Sequence, residues 1–359
     1  MKYHSLIISA LVAISFSLNA CYLDQDIEGQ FSDEFYLRNA GADLPVWVRG
    51  SNTAETFIIF LHGGPFDTAI ENAVYEHFAP LYDEYAMVFF DQRGGGYSHG
   101  QRAVGLTEEQ FVEDVEVVVS LVKEKYPQAQ NLFLMGHSYG GYLGTAFLKT
   151  DRNQDNFDGW IELAGAHNFN FNWLASRDFS IKYLEKRLSE SPENREEYEE
   201  RLQVLKDTPA VTNLNELFTI NGIAFWIAQE LNAGKSQFEN PSALHLLSSP
   251  VGAGFSQQSL GELEDLLVNG NQNPDMPSIT LPSLLIYGAE DPIVPVATGQ
   301  NGMEFLGTPD PDKSLLVLEE SGHNIWEYEI DLFFDAVRSF IRRSAKRVIS
   351  TQSDSIHTA

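Results

Sequence analysis

The sequence predicts an α/β protein: a doubly wound, mostly parallel sheet with one inserted helical cap. Short runs that are apolar on both faces, such as Phe57–Leu61 and Ala86–Phe90, alternate with stretches of helical periodicity. A parallel sheet covered by helices on both faces requires this alternation. The alternation stops for more than a hundred residues and then resumes. We therefore assign residues 34–165 and 281–343 to the core and residues 166–280 to the cap.

The individual elements follow from local patterns. Alternating apolar residues predict an antiparallel hairpin of Glu34–Arg38 with Leu44–Arg49. Thr107 and Gln110 have the spacing of a capping box at the start of a helix. Further strands are predicted at Phe57–Leu61, Ala86–Phe90, Asn131–Met135, Trp160–Ala164, Ser283–Tyr287 and Ser314–Leu318.

The end of the chain is predicted to form a helix followed by a disordered tail. Residues 331–343 have the apolar spacing of an amphipathic helix that closes the core. Residues 344–359 are polar and are predicted to form a disordered tail.

The first twenty residues have the composition of an export signal. Lys2 and His4 precede an apolar run from residue 6 to residue 18, and Ala20 is a small residue at the cleavage point. The run is short for a membrane-spanning helix, although an uncleaved anchor is the alternative. We assign residues 1–20 to a signal peptide and the polar residues 21–33 to a tether.

Cys21 is the only cysteine in the sequence, so the chain forms no internal disulfide. Leu18–Cys21 resembles the lipobox of bacterial lipoproteins, in which the cysteine is acylated and becomes the mature N-terminus. The resemblance implies export and a lipid anchor at Cys21 in the cell envelope. Tyr22 in place of Asp implies the outer membrane, facing the periplasm. The alternative is an ordinary exported protein cut after Ala20.

The charge of the chain limits its partners. The formal net charge is −28, whereas proteins that bind nucleic acid present a basic surface to the phosphates. Nucleic acid is therefore excluded as a predicted partner. The sequence has no metal-ligand cluster and no glycine spacing of a dinucleotide-binding loop, so we predict neither a metal nor a cofactor.

A glycine-flanked serine is the first candidate for chemistry. Gly136, Ser138 and Gly140 fit the pattern G-x-S-x-G, which here follows a predicted strand and opens a predicted helix. A strained turn in this position holds the serine hydroxyl above the sheet, and the flanking glycines allow close backbone approach. We predict Ser138 as a nucleophile.

An acid and a histidine follow two later strands. Asp291 lies in the loop after one strand and His323 in the loop after the last. His323 would take the proton of Ser138, while Asp291 would orient the imidazole and stabilise its charged form. Glu290 is a neighbouring acid, but Asp291 has the usual spacing after the strand. Asp291 as a turn residue and His323 as a solvated loop residue are the structural alternatives.

Backbone donors for a developing oxyanion come from two places. Gly63 and Gly64 follow the first buried strand, where a side chain would obstruct an approaching carbonyl group. The N–H of Gly63 or Gly64, together with that of Tyr139, is predicted to bind the oxyanion. We interpret His62 and His137, which flank these positions, as structural residues.

Together these residues resemble the proline iminopeptidase-like serine hydrolases (the prolyl aminopeptidase family). The similarity is carried by His62–Pro65, Asp91–Ser98, the Ser138 turn, Asp291 and His323. It implies the α/β-hydrolase fold, with its chain order Ser, Asp, His. It also implies an acyl-enzyme mechanism and small peptides with N-terminal proline as substrates. The Asp91–Ser98 loop is implied to be a structural neighbour of the site.

Two departures leave the substrate open. Phe66 stands where the family usually has glycine, and Tyr139 where it commonly has tryptophan. Aminopeptidases of this family hold the substrate amine with cap glutamates, but no position of this glutamate-rich cap matches a motif. A carboxylesterase for small lipophilic esters is therefore the alternative, and a non-catalytic surface binding protein is a third hypothesis. The cap aromatics that suit either substrate are Phe169, Phe171, Trp173, Phe225 and Trp226.

Overall fold

A ten-stranded sheet runs through the protein in the computed structural model, which describes residues 29–74, 77–100, 106–235 and 260–356. The strands are β1 (Gln30–Phe31), β2 (Glu34–Asn39), β3 (Ala42–Ser51), β4 (Thr56–Leu61), β5 (Ala86–Phe90), β6 (His99–Gly100), β7 (Asn131–His137), β8 (Gly159–Leu163), β9 (Ser283–Gly288) and β10 (Lys313–Leu318). The α-helices are α1 (Ile70–Val74), α2 (Glu108–Lys125), α3 (Tyr139–Lys149), α4 (Phe169–Ser189), α5 (Arg195–Asp207), α6 (Leu214–Asn232), α7 (Glu264–Asn269), α8 (Val296–Phe305) and α9 (Ile330–Ile356). Short 3₁₀ turns lie at Ala79–Leu81, Asn153–Asn156, Gly261–Leu263, Met276–Ser278, Asp310–Asp312 and Ile325–Glu327.

The strand order across the sheet is β1-β3-β5-β4-β7-β8-β9-β10, and β2 and β6 also pair with β3. From β5 to β10 all neighbouring strands are parallel, whereas β3 is antiparallel to its partners. Successive residues of one strand enter two separate apolar clusters: Val88 joins one and Met87 the other. Both faces of the sheet are therefore covered, which confirms the predicted doubly wound α/β fold.

The predicted hairpin is present as β2 and β3, but the chain joins the sheet earlier than predicted. Gln30 and Phe31, assigned to the tether, form β1 and pair with the end of β3. The ring of Phe31 packs 5.8 Å from that of Phe57 and 5.2 Å from that of Tyr126. The tether boundary at residue 33 is therefore wrong, because these aromatic contacts fix a short segment whose composition is polar. The rest of the predicted tether, the signal peptide and Cys21 lie outside the described residues.

The predicted tail also differs from the structure. Helix α9 continues past Arg343 and ends at Ile356, so the prediction of disorder from residue 344 is wrong for 344–356. Composition predicts disorder where few residues are apolar. A helix that is already nucleated extends at little cost through good helix formers such as Ala345 and Lys346.

The segment between β8 and β9 is helical in its described part. Asn168 caps α4 by accepting the N–H of Phe171 at 3.1 Å. Buried Phe169 and Trp173 fasten the first turns of α4 to the core, and the indole N–H of Trp173 donates to the carbonyl of Leu267 at 2.8 Å. Helices α5 and α6 pack on α4. The cap boundaries at 166 and 280 stay a prediction.

None of the helices in the described ranges has both the length and the apolar content needed to cross a membrane.

Candidate active site

Ser138 lies in a sharp turn between β7 and α3. Its backbone has φ 54° and ψ −117°, a conformation that costs a residue with a side chain on the order of 1–3 kcal/mol. The N–H of Ser138 donates to the carbonyl of Leu163 at 3.0 Å. A Cβ at Gly136 would lie 2.3 Å from the carbonyl of Gly140, and a Cβ at Gly140 would lie 2.1 Å from that of Leu61. The flanking glycines are therefore required by close backbone approach, as the motif predicts.

Asp291 and His323 meet behind this turn. Oδ2 of Asp291 lies 2.7 Å from Nδ1 of His323, and the Asp291 side chain is fully buried. Its other oxygen accepts the N–H groups of Ile293 at 2.8 Å and Val294 at 3.0 Å. These bonds hold the carboxylate in one orientation, and Nδ1 of the imidazole is engaged by it. Nε2 of His323 is the ring nitrogen that this contact does not engage.

One cavity of about 870 Å³ joins the predicted residues. A Cβ at Gly63 would lie 3.2 Å from Cβ of Ser138, so this loop passes directly beside the serine. Tyr139 is the first residue of α3, and the first N–H groups of a helix have no intrahelical acceptor. Asp291 is buried behind His323. The predicted residues that line the cavity are Gly63, Gly64, Ser138, Tyr139 and His323.

The two neighbouring histidines are held by backbone groups. Nδ1 of His62 donates to the carbonyl of Gly63 at 2.7 Å, and its Nε2 accepts the N–H of Gln92 at 3.0 Å. Burial lowers the pKa of His62. Nε2 of His137 donates to the carbonyl of His323 at 3.1 Å, and burial with the adjacent His323 ring lowers the pKa of His137 well below its usual value. Both rings are therefore neutral supports, and His137 has a role that its sequence position did not reveal: it braces the His323 loop.

The Asp91–Ser98 loop supports the Gly63–Gly64 loop from outside. Asp91 is fully buried and accepts hydrogen bonds from Thr68 Oγ1 at 3.0 Å and from the N–H groups of Ala69 and Tyr97, each at 2.6 Å. Burial raises the pKa of Asp91 to about 6. These contacts tie together the loops that follow β4 and β5.

Phe66 occupies the position where glycine is usual in the resembling family. Its φ is 75°, in the left-handed region that favours glycine. A Cβ at Gly94 would lie 2.8 Å from Cε1 of the Phe66 ring, so Gly94 provides the space that this side chain needs. The side chain of Phe66 is buried and lines the cavity.

The cap provides the wall opposite the core. Parallel rings of Tyr142 and Phe169 lie 4.6 Å apart, and Trp173 continues this stack 5.9 Å from Phe169. Of the five aromatic residues singled out in the sequence, Phe169, Trp173 and Phe225 line the cavity. Trp226 instead packs on Tyr198 and Arg201 in the interior of the cap. The α6 residues at the cavity are Leu217, Phe218, Asn221, Phe225 and Gln229, and their helical spacing is a signal that sequence reasoning could have used.

The sequence is similar to hydrolases of known class. The Hydrolase_4 family model (Serine aminopeptidase, S33) matches residues 53–222. The proline iminopeptidase PfmaB of Pestalotiopsis fici is 24% identical over 305 residues, which is 84% of this chain and 97% of that protein.

Solved structures share the fold. The proline iminopeptidase of Mycobacterium smegmatis superposes with a TM-score of 0.61 at 17% identity, over 88% of this chain and 100% of the other. An esterase from Rhodococcus sp. ECU1013 superposes with a TM-score of 0.57 at 18% identity, over 88% of this chain and 98% of the other. The sheet topology and these likenesses show the α/β-hydrolase fold, and the match to the family model identifies the protein as a serine hydrolase of that fold.

Proposed function

We propose that the protein is an aminopeptidase of the proline iminopeptidase type, acting on small peptides through an acyl-enzyme. The observation that carries the proposal is the convergence of Ser138, the Asp291–His323 pair and two sets of backbone donors on one cavity. The similarity to proline iminopeptidases over most of the chain supports the peptide specificity.

The proposed mechanism uses groups of this chain alone. His323 Nε2 takes the proton of Ser138 as Oγ attacks the substrate carbonyl, and Asp291 stabilises the imidazolium. The N–H of Tyr139, with that of Gly63 or Gly64, binds the oxyanion; one such donor is worth roughly 10²–10³ in rate. His323 then gives the proton to the leaving amine, and water releases the acyl group by the same route.

A free substrate amine needs a carboxylate within the cavity. Among the described residues, the acidic side chains that line it are Asp67 and Glu327, both on the core. Glu327 lies four residues after His323 and accepts a hydrogen bond from Asn324 at 2.9 Å. Glu230 of the cap is bound to Arg187 and does not line the cavity. We infer that Glu327 is the carboxylate best placed for the ammonium group of a peptide.

The alternative is a carboxylesterase for small lipophilic esters. It is favoured by the apolar character of the cap wall, where Leu217, Phe218 and Phe225 face the cavity. Burial of an ester's alkyl groups on this wall would supply about 25 cal/mol for each Å² removed from water.

A substrate panel separates the two functions. We expect turnover of Pro-arylamide to exceed that of aryl esters, and N-acetylation of the proline to abolish it, because the amine is then uncharged. Glu327→Gln should raise KM for Pro-arylamide and leave KM for an ester unchanged. Dominant ester turnover, indifferent to Glu327→Gln, would establish the esterase instead. Ser138→Ala is the control that must remove either activity.

A further inference from the structure

A buried polar cluster lies behind the candidate site and takes no part in the mechanism above. It consists of Glu162, His167 and Tyr287, each at most 1% exposed. Nε2 of His167 lies 2.6 Å from Oε2 of Glu162, and the Tyr287 hydroxyl lies 2.6 Å from Oε1 of Glu162 and 2.5 Å from the carbonyl of Gly165. Burial of such groups is costly unless they are hydrogen-bonded, and these contacts restrict the three side chains to one arrangement. Nδ1 of His167 has no hydrogen-bond partner among the described residues.

The cluster contacts the serine turn on one side. Glu162 lies one residue before Leu163, whose carbonyl accepts the N–H of Ser138 at 3.0 Å. A Cβ at Gly165 would lie 2.7 Å from Cδ of Glu162, and a Cβ at Gly141 would lie 2.5 Å from Cα of Gly165. Movement of the Glu162 side chain would therefore move the backbone against which the Ser138 turn rests.

On its other side the cluster contacts the elements that flank the loop of Asp291, which we call the acid loop. Tyr287 lies four residues before Asp291, and helix α8 begins five residues after Asp291. A Cβ at Gly299 would lie 2.5 Å from the ring of Tyr287, and a Cβ at Gly302 would lie 2.4 Å from the ring of His167. Both glycines are on one face of α8, so this helix rests directly on the cluster. The elements before and after Asp291 are thus both supported by it.

We propose that Glu162, His167 and Tyr287 form a positioning cluster. It holds the Asp291–His323 pair at the distance and orientation from Ser138 that catalysis needs. The inference rests on the triad of the proposed function but not on its substrate. A misplacement of about 1 Å between reacting groups can cost about 10²-fold in rate. The cluster touches no substrate and acts only through the backbone of the serine turn and the acid loop.

Four variants test the role. Tyr287→Phe keeps the ring on α8 and removes both hydroxyl contacts, and Glu162→Leu removes the centre of the cluster. Glu162→Gln can reproduce the contacts: its amide oxygen accepts from His167, and its amide nitrogen donates to the Tyr287 hydroxyl, which donates to Gly165. Tyr126→Phe is the matched control, because the buried Tyr126 hydroxyl bonds Asp33 at 2.6 Å and does not line the cavity.

The readouts are the rate at which a small fluorophosphonate labels Ser138 between pH 5 and 9, kcat and KM on the best panel substrate, and urea unfolding. We expect Tyr287→Phe and Glu162→Leu to slow labelling and kcat by about 10- to 100-fold, with KM within about twofold. Their pH profiles of labelling should also change, because His323 is displaced from Asp291. Glu162→Gln should stay within about threefold of the wild type. Tyr126→Phe should label at the wild-type rate even if its unfolding free energy falls equally.

Folded Tyr287→Phe and Glu162→Leu proteins that label like the wild type would overturn the inference. Slow labelling of Tyr126→Phe to the same extent would do so too, since any loss of stability would then suffice. A wild type that labels but hydrolyses no panel substrate refutes the proposed substrate alone, and the labelling ratios still decide the role of the cluster. A wild type that does not label overturns the triad and this inference together.

Discussion

At the residue scale the candidate site has two parts, the Ser138 turn and the Asp291–His323 pair, which the proposed mechanism joins by proton transfer to His323. Ser138 is held by a strained turn, and Asp291 is held by two backbone N–H groups. The Asp291 carboxylate cannot move far without breaking these buried hydrogen bonds, and the backbone of Ser138 is bound to Leu163. Such fixed geometry makes the members of a catalytic unit interdependent.

Loss of one member should therefore remove nearly all of the effect of the unit. We expect Ser138→Ala and His323→Ala each to lower kcat by several orders of magnitude, and the double variant to be little worse than either. Asp291→Asn should cost up to roughly 10⁴-fold, because the imidazole then adopts the wrong tautomer. The measurement is kcat of purified variants on the best substrate. Near-wild-type turnover by Ser138→Ala would remove the serine from the mechanism.

Asp91 gives a prediction about stability and pH. Burial raises its pKa in the folded protein to about 6, whereas an aspartate in an unfolded chain titrates near pH ~3.9. The folded state holds this proton more tightly, so the protonated carboxyl favours folding at low pH. That contribution is lost as the pH rises from about 4 through about 6.

Asp91→Asn has no such proton to lose. The free energy of unfolding of the wild type minus that of Asp91→Asn should therefore fall by about 1–3 kcal/mol between pH 4 and pH 7. Urea unfolding of both proteins at several pH values measures this difference. A difference that stays constant or rises with pH would show that the hydrogen bonds to Thr68, Ala69 and Tyr97 offset the burial.

At the element scale, helix α6 contributes much of the apolar wall of the cavity. Leu217, Asn221 and Phe225 recur at four-residue intervals, so one face of α6 lies along the cavity. Phe218 and Phe225 are 47% and 48% exposed, so both side chains are accessible from water as well as from the cavity.

Truncation of these two side chains should weaken substrate binding without impairing the serine. We expect Phe218→Ala and Phe225→Ala to lower kcat/KM by about tenfold, mainly through KM, because each loses apolar contact worth on the order of 1 kcal/mol. Labelling by a small fluorophosphonate should be unchanged. Val204→Ala is the control, since Val204 is an exposed apolar residue of α5 that does not line the cavity. Equal effects of all three variants would contradict a specific role of α6.

At the scale of the whole molecule, the net charge bears on how the protein could attach to a membrane. A net charge of −28 repels anionic lipid headgroups, so electrostatics do not hold this protein at a membrane. We propose that an acylated Cys21 does so, since several acyl chains at about 0.8 kcal/mol per buried CH₂ give stable attachment.

Cys21→Ser should then move the protein from the membrane fraction to the soluble fraction without loss of specific activity. Intact mass of the membrane-extracted wild type should show a diacylglyceryl group on the N-terminal fragment. An unmodified Cys21 in that fragment would refute the anchor.

The sequence by itself determined the sheet and the candidate residues of the site. Strands such as β4, β5 and β7 are continuous apolar runs, and this local pattern is imposed by burial on both faces. Gly136 and Gly140 lie so close to neighbouring backbone carbonyl groups that a residue with a Cβ would clash there. Patterns of this kind involve residues close together in the chain, so they can be recognised from the sequence without the structure.

Only the tertiary structure shows which residues from distant segments of the chain are in contact. Asp291 and His323 are 32 positions apart, and their 2.7 Å contact follows from the adjacency of β9 and β10. Glu162 and Tyr287 are 125 positions apart, and nothing in either strand indicates that they share a hydrogen bond. Strand β1 likewise depends on its contacts with Phe57 and Tyr126 rather than on composition. Sequence spacing determines the face of an element on which a side chain lies, but the packing of the elements determines which side chains meet.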